Sequence, residues 1–200
     1  MSDIKVYDNF LTKEEYTPIY KYFIDTSIGW EGESVAWYWV DGASYIDDGK
    51  YQFVNLCYAN FYPVNGVMFR ALMPIIQKLY PMAITRIKAN MTTRDDRNSF
   101  DDTQFHTDAP YCDPVEKGGC GKGATMTTAI YYVNTNNGYT LFEDGKKKVD
   151  SIANRLVTFP CYERHGAVPF NDNSKNRIVI NFNYFSSNNM EKHLKPDLVL

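Results

Sequence analysis

The chain has 200 residues, 44% of them hydrophobic and 22% charged, and a net charge of −3 from 21 basic and 24 acidic side chains. That length accommodates one domain with a proper core, and the charge balance excludes an overall electrostatic pull toward nucleic acid or an anionic membrane. No apolar run approaches the roughly 18–20 residues that span a bilayer, and 16 Tyr, 12 Phe and 3 Trp favour strands over helices.

The opening MSDIKVYDNFLTKEE lacks a basic region followed by an apolar one, so no secretory signal is expected. DNFLTKEEYTPIYKYFID reads as a turn and an amphipathic helix, with Thr12 as N-cap and Glu15 completing a capping box. A Trp- and Tyr-rich stretch from Trp30 to Tyr62 suggests short strands or a long aromatic loop. NGVMFRALMPIIQKLYP predicts a second helix, stopped by Pro81. From Ile84 onward the signal turns to β: ITRIKANMTT, ATMTTAIYYVN, YTLFEDG, RLVTFP and RIVINFNYF are strand-like runs separated by Gly, Asn, Asp and Pro. Segments 94–102 and 111–123 are candidate lids over a site.

Helices first and then a series of short strands predict a mainly β fold, a double-sheet jelly roll (double-stranded β-helix) with the helices packed on the major sheet. In RIVINFNYF, Ile178, Ile180, Phe182 and Tyr184 share one strand face, and Arg177, Val179, Asn181 and Asn183 share the other. The first face suits packing against helices. The second is mixed and carries an arginine, as the inside of a ligand-holding barrel does. The expected organisation is one domain over 1–200, with 1–83 as support and 84–186 as the core.

Cys57, Cys112, Cys120 and Cys161 match no paired-cysteine zinc spacing. Reduced thiols and a cytoplasmic location are the expectation, with a Cys112–Cys120 disulfide as the alternative.

TQFHTDAPYCD places His106 two residues before Asp108. Alone this spacing is weak: with 24 acids in 200 residues, one of 3 histidines has an acid two places on roughly one time in three. Two imidazoles and one carboxylate on one face of a metal, however, are what a mononuclear non-haem iron(II) centre needs. His165, in YERHGAVPF after the strand-like RLVTFP, is the candidate third ligand. Arg177 follows it at the start of the RIVINFNYF strand, where a planar guanidinium is suited to hold a carboxylate bidentately. His193 is expected at the surface. Trp37, Trp39 and Tyr111 are candidates for a substrate groove, against core packing as the commoner use of such residues.

Taken together, FHTDAPY, GATMTTAIYYVNTNNGYTLFEDGKK and RLVTFPCYERHGAVPFNDNSKNRIVINFNYF resemble the catalytic core of the 2-oxoglutarate- and Fe(II)-dependent oxygenases, nearest to the prolyl-4-hydroxylase-like branch. The resemblance covers about Ile84 to Phe185, and VYDNFLTKEEY is similar to the start of small oxygenases of this type from bacteria and phages. It implies that His106, Asp108 and His165 bind Fe(II), and that Arg177 pairs with the distal carboxylate of 2-oxoglutarate. It also implies that Tyr132, in IYYVN, donates its hydroxyl to that carboxylate.

Asn90 and Asn181 depart from the family pattern, falling where relatives often carry a tyrosine and a small hydroxyl residue; either amide can still donate to a carboxylate. NNGYTLF stands in place of a paired-glycine turn, with Asn137 expected to take the left-handed geometry and preserve a hairpin. Implied too are O₂ as oxidant, ascorbate as an optional addition, and hydroxylation as the outcome, since related halogenases lack the carboxylate at the Asp108 position.

A prolyl residue in a peptide or protein is the leading substrate expectation, with small molecules such as free amino acids as alternatives. No nucleic-acid or membrane partner is expected, and a phage origin would place the protein in the host cytoplasm. A cupin-type metalloenzyme that does not use 2-oxoglutarate, and a non-catalytic jelly-roll module, remain open at this point.

Overall fold

The computed structural model describes residues 4–25, 35–42, 50–96, 105–108, 126–143, 147–186 and 196–199. Tyr111, Cys112, Cys120 and His193, and most of both candidate lids, lie outside the described residues. No helix among the described residues is long and apolar enough to cross a membrane.

Helix α1 spans Lys13–Ile24, and its first turn carries the expected capping box: Glu15 N–H donates to Thr12 Oγ1, and Thr12 N–H donates to Glu15. It buries Ile19, Tyr22 and Phe23. The predicted second helix is two, α2 Gly66–Ala71 and α3 Met73–Leu79, with Leu72 between them. Pro74 sits in the first turn of α3 and has no N–H to donate to the preceding turn, so one continuous helix is interrupted there. Tyr80 ends α3 in the left-handed conformation (φ 47°) before Pro81.

The strands are β1 Lys5–Tyr7, β2 Tyr38–Asp41, β3 Tyr51–Ala59, β4 Tyr62–Pro63, β5 Pro81–Thr92, β6 Met126–Tyr132, β7 Tyr139–Phe142, β8 Lys148–Asp150, β9 Arg155–Pro160, β10 His165–Val168, β11 Arg177–Ser186 and β12 Leu198–Val199. The major sheet runs β12-β1-β9-β6-β11-β5-β3-β2, with β4 paired to β3, and a smaller sheet runs β10-β7-β8. Every pairing is antiparallel, as in a double-stranded β-helix with helical support.

The alternation in β11 sorts as the sequence predicts. Ile178, Ile180, Phe182 and Tyr184 join Ile87 and Ala89 of β5 and the buried faces of α1–α3 in one core cluster. A second cluster fills the space between the sheets, with Ile130, Tyr132, Val157, Phe159 and Val179 from the major sheet and Phe142 and Val149 from the minor one. Trp37 packs against Phe23 in the first core, whereas Trp39 is exposed on β2.

Two expectations are corrected. β6 and β7 form no hairpin, because β6 belongs to the major sheet and β7 to the minor one; the connection crosses between layers. Asn137 is accordingly not left-handed; its side chain accepts from the N–H groups of Asn171 and Asp172 and ties the crossover to the loop before β11. The thiols also differ from a uniformly reduced set. Cys57 is free and buried, but Cys161 is disulfide-bonded. Spacing alone does not reveal which cysteines pair.

Candidate metal centre and cavity

His106 and His165 are joined by a single antiparallel bridge. Each backbone N–H donates to the other's carbonyl at 3.0 Å. His106 thus adds one residue to the outer side of β10 rather than ending a longer strand, and Asp108 follows in a bend. Phe105, buried, anchors the segment, and its carbonyl accepts from Arg164 Nη2 at 2.6 Å.

The consequence is a compact donor set. The imidazole centroids of His106 and His165 stand 5.0 Å apart, and Asp108 Oδ2 lies 3.9 Å from His165 Nε2. One ligand atom from each of the three residues falls within 4.8 Å of the others. His165 Nδ1 lies 3.2 Å from the Glu163 carbonyl. Donation of an Nδ1 proton there leaves the Nε2 lone pair facing the other two ligands, the tautomer a metal site requires.

Charge states agree with that use. Burial pushes the His165 imidazole down to about 4, against the attraction of Asp108, so it is neutral near neutral pH. Burial would raise Asp108, but the neighbouring His165, Arg86, His106 and Asn183 outweigh it and bring the carboxyl to about 2. The carboxylate is also held from behind. Arg86 Nη2 reaches Asp108 Oδ1 at 3.3 Å, Asn183 Nδ2 donates to Oδ2 at 3.2 Å, and Arg86 Nε donates to Asn183 Oδ1 at 2.9 Å. Asn183 Nδ2 also lies 3.1 Å from Thr128 Oγ1. Two imidazole nitrogens and one anchored carboxylate on one side fit a divalent iron with open positions on the other.

The same cavity is lined by Lys88, Asn90, Thr140, Arg177, Val179 and Asn181. Arg177 is 3% exposed. Its Nε donates to Ser151 Oγ at 2.8 Å and its Nη2 to Thr140 Oγ1 at 3.4 Å, and no carboxylate pairs with it among the described residues. Tyr132 Oη donates to Thr140 Oγ1 at 2.7 Å, and the Arg177 guanidinium lies 5.7 Å from the Tyr132 ring centroid. Tyr132 therefore reaches the cavity only through Thr140, which lines it.

Asn90 and Asn181 both line the cavity, and the side-chain oxygen of each is buried with no hydrogen-bond partner among the described residues. Four participants escaped the sequence reading: Arg86, Lys88, Thr140 and Asn183. Alternation in ITRIKANMTT and YTLF does place Arg86, Lys88 and Thr140 on one face each, but which face turns inward follows only from pairing with β11 and β10.

No family model matches the chain, and no curated protein matches its sequence. Solved structures do match in fold. A prolyl-4-hydroxylase from Pseudomonas putida aligns over 94% of both chains with a TM-score of 0.54 and 13% identity. A Trichoplax adhaerens prolyl hydroxylase, in complex with a hypoxia-inducible-factor oxygen degradation domain peptide fragment, aligns over 96% of this chain and 88% of its own, with a TM-score of 0.54 and 14% identity. The non-heme alpha-ketoglutarate-dependent epimerase SnoN of nogalamycin biosynthesis aligns over 92% and 78%, with a TM-score of 0.51 and 11% identity. The fold is therefore that of the 2-oxoglutarate/Fe(II) oxygenases. Among solved structures of that fold the chain resembles prolyl-4-hydroxylases and others.

Proposed function

We propose that the protein is a 2-oxoglutarate- and Fe(II)-dependent dioxygenase that hydroxylates an aliphatic C–H group, with a prolyl residue of a peptide or protein as the leading substrate expectation. One observation carries the oxygenase reading: the His106–Asp108–His165 donor set and a buried guanidinium with no carboxylate partner among the described residues, Arg177, share one cavity. Burying an unpaired guanidinium costs several kcal/mol (on the order of the values for broken buried pairs), a cost offset when a ligand brings the missing anion.

Bound Fe(II) and 2-oxoglutarate supply the oxidising power: O₂, 2-oxoglutarate and R–H become succinate, CO₂ and R–OH, with one atom of O₂ in succinate and the other in the alcohol. The chain's own residues bind and orient. His106, Asp108 and His165 hold the metal, and Arg86 with Asn183 keeps both carboxylate oxygens of Asp108 in place. Arg177 takes the distal carboxylate of the keto acid, with Thr140 beside it and Tyr132 fixing the Thr140 hydroxyl. Asn90 and Asn181 form the wall between these two ends. The apolar side chains of Ile130 and Val179 line the same space and limit water around the reacting C–H.

The prolyl expectation is supported by the fold-level likeness to the two prolyl hydroxylases, one of them in complex with a peptide fragment. Exposed Tyr38, Trp39 and Tyr51 on β2 and β3 offer aromatic surface for a peptide chain. The test is anaerobic purification with Fe(II), followed by succinate formation from 2-oxoglutarate with and without proline-rich peptides. Absence of 2-oxoglutarate binding, or binding indifferent to Arg177→Ala, would sink the co-substrate assignment. Succinate formed only with a non-peptide partner would remove the prolyl reading and leave the oxygenase reading standing.

A further inference from the structure

The inward face of the β5–β11 pair is a polar ladder. In register, Arg86 faces Asn183, Lys88 faces Asn181, Asn90 faces Val179 and Thr92 faces Arg177. Arg86 and Asn183 are committed to Asp108. At the other end, Arg177 is the anion site assigned to the distal carboxylate of the keto acid. Inward positions on one strand are spaced by roughly 7 Å. Lys88 thus stands one step from the metal-ligand end, with its backbone about 13 Å along the sheet from the Arg177 row.

Lys88 has no task in that scheme. Its ammonium makes no hydrogen bond or ion pair with a described residue, although its side chain is largely buried and lines the cavity. Burial, followed by the like charge of Arg86, holds it below the ordinary lysine range, with Asp108 acting in the opposite direction. In a chain of net charge −3, this cavity is lined by Lys50, Lys88 and Arg177 with Asp108 as the one carboxylate among the described residues. A divalent iron (+2), Asp108 (−1) with its partner Arg86 (+1), the keto-acid dianion (−2) and Arg177 (+1) sum to +1. Lys50 and Lys88 add to that positive charge.

The two amides beside Lys88 are left over in a different sense. Asn90 and Asn181 are 7% and 9% exposed, and their Oδ1 atoms have no donor among the described residues. 2-Oxoglutarate, fully ionised, offers only acceptors, so it satisfies neither oxygen. Buried acceptors without partners are rare enough that each calls for one. A second molecule bringing a negative charge and N–H or O–H donors would complete all three groups.

We infer that the molecule oxidised in this cavity is of the amino-acid class, presenting a carboxylate to Lys88 and hydrogen-bond donors to Asn90 and Asn181. The inference rests on the oxygenase reading above and narrows its substrate. It places a free amino acid, or a peptide whose acidic side chain neighbours the hydroxylated residue, ahead of a neutral peptide. Both sources share the carboxylate.

The test uses the full chain loaded anaerobically with Fe(II) and 2-oxoglutarate, read by calorimetric binding and then by succinate formation on admitting air. One arm titrates L-proline and L-leucine against their carboxamides. The other titrates N-acetyl-Glu-Pro-amide against N-acetyl-Gln-Pro-amide. The carboxylate form is expected to bind at least about tenfold more tightly in one arm, as loss of a charge-assisted contact implies, and that arm identifies the source. Lys88→Met is expected to abolish the preference while 2-oxoglutarate affinity stays within about threefold, which also reports that the variant is folded. Lys88→Arg, keeping the charge, is expected to retain a preference. Equal binding of carboxylate and amide in both arms overturns the inference, as does a Lys88→Met variant that loses 2-oxoglutarate instead. A wild-type chain that binds no 2-oxoglutarate removes the oxygenase reading itself, a result distinct from the other two.

Discussion

His106 and His165 exchange both backbone hydrogen bonds at 3.0 Å and set their imidazole centroids 5.0 Å apart. Two candidate ligands far apart in sequence are thus positioned by one bridge, and Asp108 enters from the bend that follows. Replacing either imidazole by alanine leaves two donors. Fe(II) or Mn(II) affinity is expected to fall by more than the roughly 10–100-fold typical of losing an outer partner, measured by calorimetry on the anaerobic protein.

Asp108 depends on two neighbours for its orientation. Asn183→Ala removes the donor to Oδ2 and leaves Arg86 Nε without its acceptor. Metal affinity is expected to drop about 10–100-fold with the fold retained, as for other outer partners of metal ligands. Metal titration alongside circular dichroism separates that result from unfolding.

Arg177 makes opposite contributions to binding and to stability. Arg177→Met removes a buried, uncompensated charge, so the ligand-free protein is expected to keep its stability or gain up to about 2 kcal/mol. 2-Oxoglutarate affinity is expected to fall at least about tenfold, because a charge-assisted contact is lost. Thermal unfolding without ligand and a binding titration give the two signs.

Gly138 is confined by the same corner of the cavity. A Cβ there would lie 2.9 Å from Asn136 Oδ1, 3.0 Å from the Val168 carbonyl oxygen and 3.2 Å from Arg177 Cδ. The Val168 carbonyl belongs to the backbone of β10 and must shift to admit it. Gly138→Ala is expected to cost about 1–3 kcal/mol, the usual range for overpacking, and to weaken 2-oxoglutarate binding by displacing Arg177. Urea unfolding and the same titration check both.

Acid should weaken the metal-free protein through His165. Its folded-state value, about 4, lies below the ordinary 6.5 because of burial. The unfolded chain therefore takes up this proton first, and stability is lost as pH falls from about 6.5 toward 4, with no contribution to the slope above that window. The shift corresponds to about 3 kcal/mol at most. Asp108 acts with the same sign lower down, between 3.8 and about 2. Urea unfolding across this range with chelator present should show the slope, and His165→Asn should flatten it between 4 and 6.5.

The local chemistry of single segments was sufficient for much of this molecule. Thr12 and Glu15 specify the start of α1 because a capping box needs only residues three apart. Alternation in RIVINFNYF specifies two faces of β11, and the apolar one lies under the helices as expected. The residue types and spacing of His106, Asp108, His165 and Arg177 were enough to nominate a metal and an anion site, because those chemistries tolerate few substitutes.

What tertiary structure alone decided concerns partners across strands. TNNGYTLF looks like a hairpin turn, yet β6 and β7 separate into different sheets, since local turn residues do not encode which layer a strand joins. Arg86 and Lys88 look like the solvated positions of an ordinary strand until β5 pairs with β11 and turns them inward, opposite Asn183 and Asn181. Periodicity tells which residues share a face; only the packing of the second sheet tells which face holds the cavity, and with it the charge that the substrate must answer.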